Sequence, residues 1–525
     1  MSGVPLGQLL REISSVNPRA RGAIPGPEAL VEGAHHDSRR MRPGYAFVCV
    51  SGEHRDGHEF AADAVRAGAS VVFGERPEIA GVEPYVRVED ARRALALLCC
   101  ALLRHPSRAL VLTAVTGTNG KTTITWMLDA VLRNCGLPSA VMGTLGSGSP
   151  DAAGPAAWRS AAFTTPEAPE LQEELARWRE VGVKAGACEV SSHALALRRA
   201  YGTRFACSVF TNLTPDHLDF HRTMEEYGRA KSRLFRREER GPEEPPALAV
   251  INDDDPAASE MVRGSSDRVI RFGSTPAADV WPEDLRTTPA GIRLRIRYRE
   301  EARLRPPLRA LERSRPDQPE SAGACEVESP LLGTFQAGNL LAAFGAGFAL
   351  GLEPEAVAEG LARLRGVPGR MERVDGGGSG PVVVDYAHTP DALARACASL
   401  RPFTPGRLLL VFGCGGDRDR GKRPLMGEAA ARGADLIFLT DDNPRSEDPA
   451  SIRAQARGPL EALGAHYVEE GDRRAAIRSA LEASIPGDTV LIAGKGHETV
   501  QVRGDRSVPF DDRATARSIL RELGR

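Results

Sequence analysis

The stretch ALVLTAVTGTNGKTTITWMLDAVLRNCG, residues 109–136, decides the fold class. Its first seven residues form a short apolar run rich in valine and leucine, the composition of a strand buried on both faces. The run breaks at Thr116-Gly117-Thr118-Asn119-Gly120 and resumes from Lys121 with helical spacing, which places Ile124, Leu128, Val131 and Leu132 on one face. Gly136 stands where a left-handed cap closes a helix. Strand, glycine loop, Lys-Thr and helix together are the recipe for holding a triphosphate. The backbone of Gly117, Thr118, Asn119 and Gly120 faces phosphate oxygens, and the helix start, with Thr122 and Thr123, adds a positive dipole end. Lys121 reaches the outer phosphates and the Thr122 hydroxyl can ligate Mg²⁺. The general phosphate-loop pattern has a glycine five residues before Gly120; here that position is Val115.

A chain of 525 residues exceeds what one core supports, and typical domain sizes predict about three domains. Hydrophobic residues at 42% and charged residues at 26% are ordinary for a soluble globular protein. A formal net charge of −2 gives no argument for nucleic acid or a membrane surface. No apolar run approaches the roughly 20 residues that span a bilayer, and the opening MSGVPLGQLLREISS lacks the basic start and long apolar core of a secretory signal. Nine cysteines, an odd number without CxxC pairs, predict reduced and mostly buried thiols in a cytoplasmic protein. A monomer is expected.

The predicted fold class is α/β in three domains: 1–108, a central parallel-sheet ATPase domain of phosphate-loop type over 109–367, and a Rossmann-like domain over 368–525. In the first, Ala46-Phe47-Val48-Cys49-Val50 and Ser70-Val71-Val72-Phe73 read as buried strands, and DARRALALLCCALLRHPS as a helix. In the second, GTLGSGSPDAAGPAAWRSAAF reads as a long mobile loop ending in Thr164-Thr165-Pro166-Glu167, and residues 298–328 as an insertion or loop of low order. The strand VKAGACEV delivers Glu189, and FACSVF delivers Thr211 through Asp219. In the third, PVVVDY, LLLVFG, ADLIFLT and TVLIAG each end in a polar signature, among them Asp441-Asp442-Asn443-Pro444-Arg445 and Lys495-Gly496-His497-Glu498. Polar groups just past the carboxyl ends of strands are where open α/β sheets bind ligands.

Thr122, Glu189 and His217 all flank strand ends and can converge on phosphates. Magnesium prefers oxygen ligands and is usually held by one or two protein groups plus substrate phosphates. His217 and His221, four apart and beside Asp216 and Asp219, could suggest zinc instead, but a triphosphate site already calls for magnesium.

TGTNGKTT, TTPE, EVSSHAL, FTNLTPDHLDFH, AKSRLF, DYAHTPD, GGDRDRGKRPLM, DDNPRSEDP and GKGHE occur in that order over residues 116–498, and DSRRMRPGYAF precedes them. In these motifs the chain resembles the Mur ligase family, within it the branch that adds meso-diaminopimelate. The resemblance implies an ATP-dependent amide ligase of peptidoglycan precursor biosynthesis. Its substrates would be UDP-N-acetylmuramoyl-L-alanyl-D-glutamate and meso-diaminopimelate, joined through an acyl phosphate.

It also implies roles, position by position. Lys121, Glu189, His217 and Lys231 would be catalytic. Thr122, Glu189, His217 and a carbamylated Lys231 would hold Mg²⁺. Gly117 to Thr123, Asn339, Arg370 and Asp385 would bind ATP. Ser38 and the loop Glu53-His54-Arg55 would meet the UDP end of the substrate; Thr164, Thr165, Ser191 and Arg199 would meet its muramoyl-dipeptide. Leu197 stands where the family often has Gln. Arg418, Asp442, Asn443, Pro444, Arg445, Gly494 and Glu498 would form the amino-acid pocket. There the Arg445 guanidinium suits the distal carboxylate and Glu498 an ammonium; a solvated turn would instead pair Arg445 with Glu447 or Asp448. The rivals are a lysine-adding sibling, a folylpolyglutamate synthetase, and a non-catalytic nucleotide-binding regulator.

Overall fold

The apolar run before the glycine loop becomes the strand Val111–Thr116, at the heart of the largest sheet of the computed structural model. The structure describes residues 3–21, 26–52, 55–150, 157–160, 163–236, 240, 247–265, 267–303, 322–374 and 380–525. Val111–Thr116 pairs in parallel with Ala185–Glu189 on one side and Cys207–Phe210 on the other. Ser139–Gly143, Leu248–Asn252 and Arg268–Phe272 continue the parallel array, so one edge carries the carboxyl ends of six strands. Only residues apolar on both faces fit between two helical layers, which is why these strands read as continuous valine- and alanine-rich runs.

The helix Lys121–Asn134 covers one face. Ile124, Leu128, Val131 and Leu132 are all buried, and Gly136, at φ 75°, closes the helix with Leu137 N–H bonding back to Leu132 O at 3.0 Å. Helices Gln336–Ala349 and Pro354–Arg363 complete that layer. Trp178, on Ala168–Glu180, fills the opposite face.

Two sequence expectations are corrected here. Residues 298–328 do not read out as a low-order loop throughout. Gly291–Arg299 and Ala322–Ser329 are antiparallel strands that extend the sheet beyond Val280–Thr288, and residues 304–321 lie outside the described ones. In AGACEVES, Cys325 and Val327 point inward while Glu326 and Glu328 are exposed, a period-two pattern hidden by its low mean hydropathy. Nor is the glycine-rich segment after Gly143 loop alone: Gly146–Gly148 pairs back on Ser139–Gly143. Ser147 and Arg159 exchange backbone hydrogen bonds at 2.8 Å, and Trp158 packs on Trp126.

Towards the amino terminus, Arg19–Arg21, Tyr85–Arg87, Val71–Gly74, Tyr45–Val48 and Gly33–His35 form a second sheet, in that order. The helix Ala91–Leu102 packs on it and leads into the central sheet. Arg40 pairs with Glu170 and Arg93 donates to Tyr201 Oη at 2.5 Å, joining the two units by polar contacts.

The third sheet runs Glu372–Val374, Val382–Asp385, Thr489–Ala493, Leu408–Phe412, Leu436–Leu439, Tyr467–Glu469, parallel after the first. This sheet's last strand in sequence, Thr489–Ala493, inserts between Val382–Asp385 and Leu408–Phe412. That order brings loops beginning at residues 386, 413 and 494 side by side.

Candidate functional site

A cavity of about 670 Å³ lies where the carboxyl ends of the central strands meet the third sheet. Thr118 through Thr123, Thr164, Glu189, Ser191, His217, Lys231, Asn339, Arg370 and Asp385 line it, so the predicted nucleotide, metal and catalytic residues come together in one space. Gly117 lies just behind them. It adopts φ 147°, and a Cβ there would stand 1.8 Å from Thr211 Oγ1, which donates to Asn119 O at 2.6 Å. Thr118 and Asn119 are braced from the neighbouring strand by Asn212, whose backbone and side-chain oxygens accept both N–H groups at 2.9 Å. The loop is thus pre-shaped by a partner nearly a hundred residues away.

Two lysines share one acceptor. Lys121 Nζ donates to Gly117 O at 2.9 Å and to Thr118 O at 2.8 Å; Lys231 Nζ donates to the same Gly117 O at 2.8 Å and sits 4.3 Å over the Tyr227 ring. Lys231 is buried, and burial, reinforced by repulsion from Lys121, holds its pKa well below the ordinary lysine value. Burial lowers Lys121 too, opposed by the charges of Glu189 and Asp216.

Glu189 is 1% exposed. Its oxygens accept from Thr144 N at 2.9 Å and Thr144 Oγ1 at 3.0 Å, and among the described residues no Lys or Arg stands within ion-pairing distance. A carboxylate and the Thr122 hydroxyl lining one cavity are the oxygen donor chemistry that suits a hard divalent cation. His217, at φ 54° in a helix-start turn, has its pKa lowered to about 4 by desolvation against the pull of Asp216, 3.4 Å away, although its side chain is 42% exposed. His221 does not join it in a zinc site. Its Nε2 bonds Ser192 Oγ at 2.9 Å, and among the described residues no group of three or more His, Cys, Asp or Glu could hold a metal.

The third unit reaches into the phosphate loop. Arg370 Nη2 donates to Thr122 Oγ1 at 3.2 Å while its guanidinium lies 4.3 Å over the Tyr386 ring. Asn119 Nδ2 donates to Asp391 Oδ2 at 3.3 Å. Asp385 accepts Met371 N at 2.7 Å and Ala387 N at 2.8 Å; burial raises its pKa against Arg370.

Other predicted residues stand elsewhere. Thr165 is buried and accepts from Ser191 N at 3.0 Å, and Arg199 pairs with Glu167 at 2.7 Å. Ser38 lies in the turn Ser38–Arg40 and Arg55 lies 6.0 Å from the Phe60 ring centre, neither of them lining the cavity; Glu53 and His54 fall outside the described residues.

The predicted amino-acid residues form a second cluster, outside the cavity lining. Arg445, at φ 50°, donates to Gly416 O at 2.7 Å, and no carboxylate among the described residues pairs with its guanidinium. The solvated-turn alternative does not hold. Glu447 is taken by Arg423 at 2.7 Å and Arg420 at 3.2 Å, and Asp448 caps Pro449–Ala462. Burial and the nearby Arg418 lower the Arg445 pKa. Asn443 and Glu498 are bound to each other, Nδ2 to Oε2 at 2.8 Å, so the Asn443 amide points inward and is not open to a ligand. Gly494 has no Cβ, which would otherwise lie 2.9 Å from Asp442 Oδ2.

Sequence reading passed over Thr144, Tyr386, His388 and Arg395, which also line the cavity. Tyr386 and His388 were findable, since DYAHTPD begins at a strand end; Thr144 carries no signal beyond its glycine-rich neighbourhood.

A preformed phosphate loop closed over by a second parallel-sheet unit defines an α/β nucleotide-dependent enzyme class with its site between domains. Three sequence profiles cover most of the chain: "Mur ligase family, catalytic domain" over residues 31–101, "Mur ligase middle domain" over 115–347 and "Mur ligase, glutamate ligase domain" over 369–496. A UDP-N-acetylmuramoyl-L-alanyl-D-glutamate--2,6-diaminopimelate ligase from Solibacter usitatus is 42% identical over 522 residues, 99% of each chain. A protein of the same name from Geobacillus thermodenitrificans is 43% identical over 96% of each. A solved structure, also titled as that ligase, aligns over 100% of both chains with a TM-score of 0.66 and 32% identity. The chain belongs to the Mur ligase family.

Proposed function

We propose that this protein joins meso-diaminopimelate to UDP-N-acetylmuramoyl-L-alanyl-D-glutamate, converting ATP to ADP and phosphate, in peptidoglycan precursor synthesis. The observation that carries the reading is the convergence of Lys121, Glu189, His217 and Lys231 on one cavity walled by two domains, in a chain alike over its full length to ligases so named. We assign residues 1–108 to the UDP-linked substrate, 109–367 to ATP and 368–525 to the incoming amino acid, in a monomeric cytoplasmic protein. Among the described residues no helix is long and apolar enough to cross a membrane.

A carboxylate is a poor electrophile. In this reading the substrate's carboxylate oxygen attacks the γ-phosphorus and ADP leaves; the neutral amine of diaminopimelate then attacks the acyl carbon, the nitrogen gives up a proton to solvent and phosphate departs with the C–O bond pair. Lys121 neutralises charge on the transferring phosphoryl group, and Arg370, touching Thr122 from the third domain, brings a second cation to the same loop. Magnesium, held by Thr122, Glu189, His217 and a carbamylated Lys231, would supply further charge neutralisation. The buried Lys231 amine suits carbamylation because only a neutral amine attacks CO₂. The new N–C bond forms as the nitrogen loses a proton, turning a cation into an oxygen ligand.

Two results test the assignment. Gly117→Ala should weaken ATP binding by at least about tenfold in calorimetry, since its Cβ collides with Thr211 unless the loop shifts; unchanged affinity would remove the phosphate loop from the site. Arg445→Ala should lower kcat/KM for meso-diaminopimelate by about 10²-fold, the scale of a lost bidentate charge-assisted pair, with little change for L-lysine. Phosphate release measured with ATP, the UDP-linked dipeptide and each amino acid reads both effects. A wild-type preference for lysine would overturn the choice of amino acid.

A further inference from the structure

Lys495 is fully buried between Gly494 and Gly496, just past the strand Thr489–Ala493. Its ammonium has three protons and three acceptors: Glu498 Oε2 at 2.7 Å, Val500 O at 2.8 Å and Asn443 Oδ1 at 3.1 Å. Asn443 returns a bond to the same Glu498 Oε2 at 2.8 Å, and its Oδ1 also accepts Val502 N at 3.0 Å. Both bonds to the Glu498 side chain therefore fall on Oε2, and Oε1 takes none among the described residues. In the same cluster the Arg445 guanidinium lacks a carboxylate partner among the described residues and feels the charges of Asp442 and Glu498. A half-buried glutamate not otherwise restrained would turn to that arginine, and the ion pair so formed would consume both groups meant for substrate.

We propose that Lys495 is a positioning residue for amino-acid recognition. By anchoring Glu498 Oε2 and Asn443, it holds Oε1 toward the substrate's ammonium and keeps Glu498 from pairing with Arg445, so cation and anion remain separated for the two ends of one zwitterionic ligand. This rests on diaminopimelate being the amino acid added. Lys495→Met should raise KM for diaminopimelate by about tenfold or more while kcat and KM for ATP stay within about twofold. Lys495→Gln, which keeps a donor but not the charge, should fall between. In a Glu498→Gln background, where this carboxylate can no longer pair with Arg445, the further effect of Lys495→Met should shrink to about twofold, a non-additivity that shows Lys495 acting through Glu498.

Initial rates at varied diaminopimelate and varied ATP, with thermal melts of each variant, decide the matter. An unchanged KM for diaminopimelate in Lys495→Met, a fall in kcat alone, or full additivity with Glu498→Gln would overturn the inference. Failure of both Lys495 variants to fold would overturn it too, by making the residue a requirement of the fold. Wild-type protein that turns over no diaminopimelate would defeat the underlying assignment instead, a result distinguishable from all of these.

Discussion

Lys231→Ala should reduce ligation by at least about 10³-fold while ATP binding and the fold persist. The residue is buried against the phosphate loop, its Nζ on Gly117 O, and burial and Lys121 hold its pKa well below the ordinary lysine value. On the proposed reading the neutral amine takes up CO₂ and the resulting carbamate supplies an oxygen ligand. Alanine removes that ligand together with the Nζ bond to Gly117 O, a carbonyl that Lys121 continues to bond. Acetate or formate added in excess should restore part of the activity by supplying a carboxylate to the vacated space. Protein equilibrated with ¹³C-bicarbonate should show a carbamate carbon resonance that the variant lacks. Unimpaired turnover in Lys231→Ala, or no such resonance in active wild-type protein, would refute the modification.

Lys121→Ala should lower kcat by about 10³-fold, near 4 kcal/mol of transition-state stabilisation, the scale of a removed phosphate-neutralising group. Its ammonium now bonds Gly117 O and Thr118 O, carbonyls of the loop itself, so it is held at the phosphate site before any ligand arrives. Binding of the UDP-linked dipeptide, assigned to other loops, should survive. Calorimetry with that substrate beside single-turnover phosphate release separates the two. Loss of UDP-substrate binding with ATP hydrolysis retained would show the loop to be misassigned.

The two lysines also bear on each other. With both amines on one carbonyl, the charge on Lys121 disfavours a charge on Lys231, so Lys121→Ala should ease the depression of the Lys231 pKa and favour its protonated, unreactive form. Some of the Lys121→Ala deficit should therefore answer to raised CO₂, whereas a Lys121 acting on phosphate alone would give none.

Local pattern was enough for the elements. Valine-rich runs and a 3.6-residue apolar repeat identify Val111–Thr116 and Lys121–Asn134 because both periods are properties of neighbouring residues, and burial of those same residues follows. The edge strand Ala322–Ser329 escaped because it buries one face only, and the glutamates that alternate with Cys325 and Val327 read as polar sequence. The motif order along the chain likewise identified the family, and the motifs past the ends of Val111–Thr116, Ala185–Glu189 and Cys207–Phe210 supplied cavity residues, whereas those past Leu436–Leu439 and Thr489–Ala493 lie outside its lining.

Which group touches which was a different matter. Asn443 looked like a free amide beside Arg445 and Glu498 like a free carboxylate, yet Lys495 claims both, Glu498 from three residues away and Asn443 across a separation of 52. Lys231 meets Gly117 across 114 residues. Such pairings depend on strand order, which places Thr489–Ala493 between Val382–Asp385 and Leu408–Phe412, and on how the third domain closes on the first turn of Lys121–Asn134. By itself the sequence determined the elements, the family and the chemical inventory of the site, since these rest on residue type and local spacing. Only the tertiary structure decided which charges stay open to a ligand and which are already answered, because charge pairing is set by distances through space that no local period encodes.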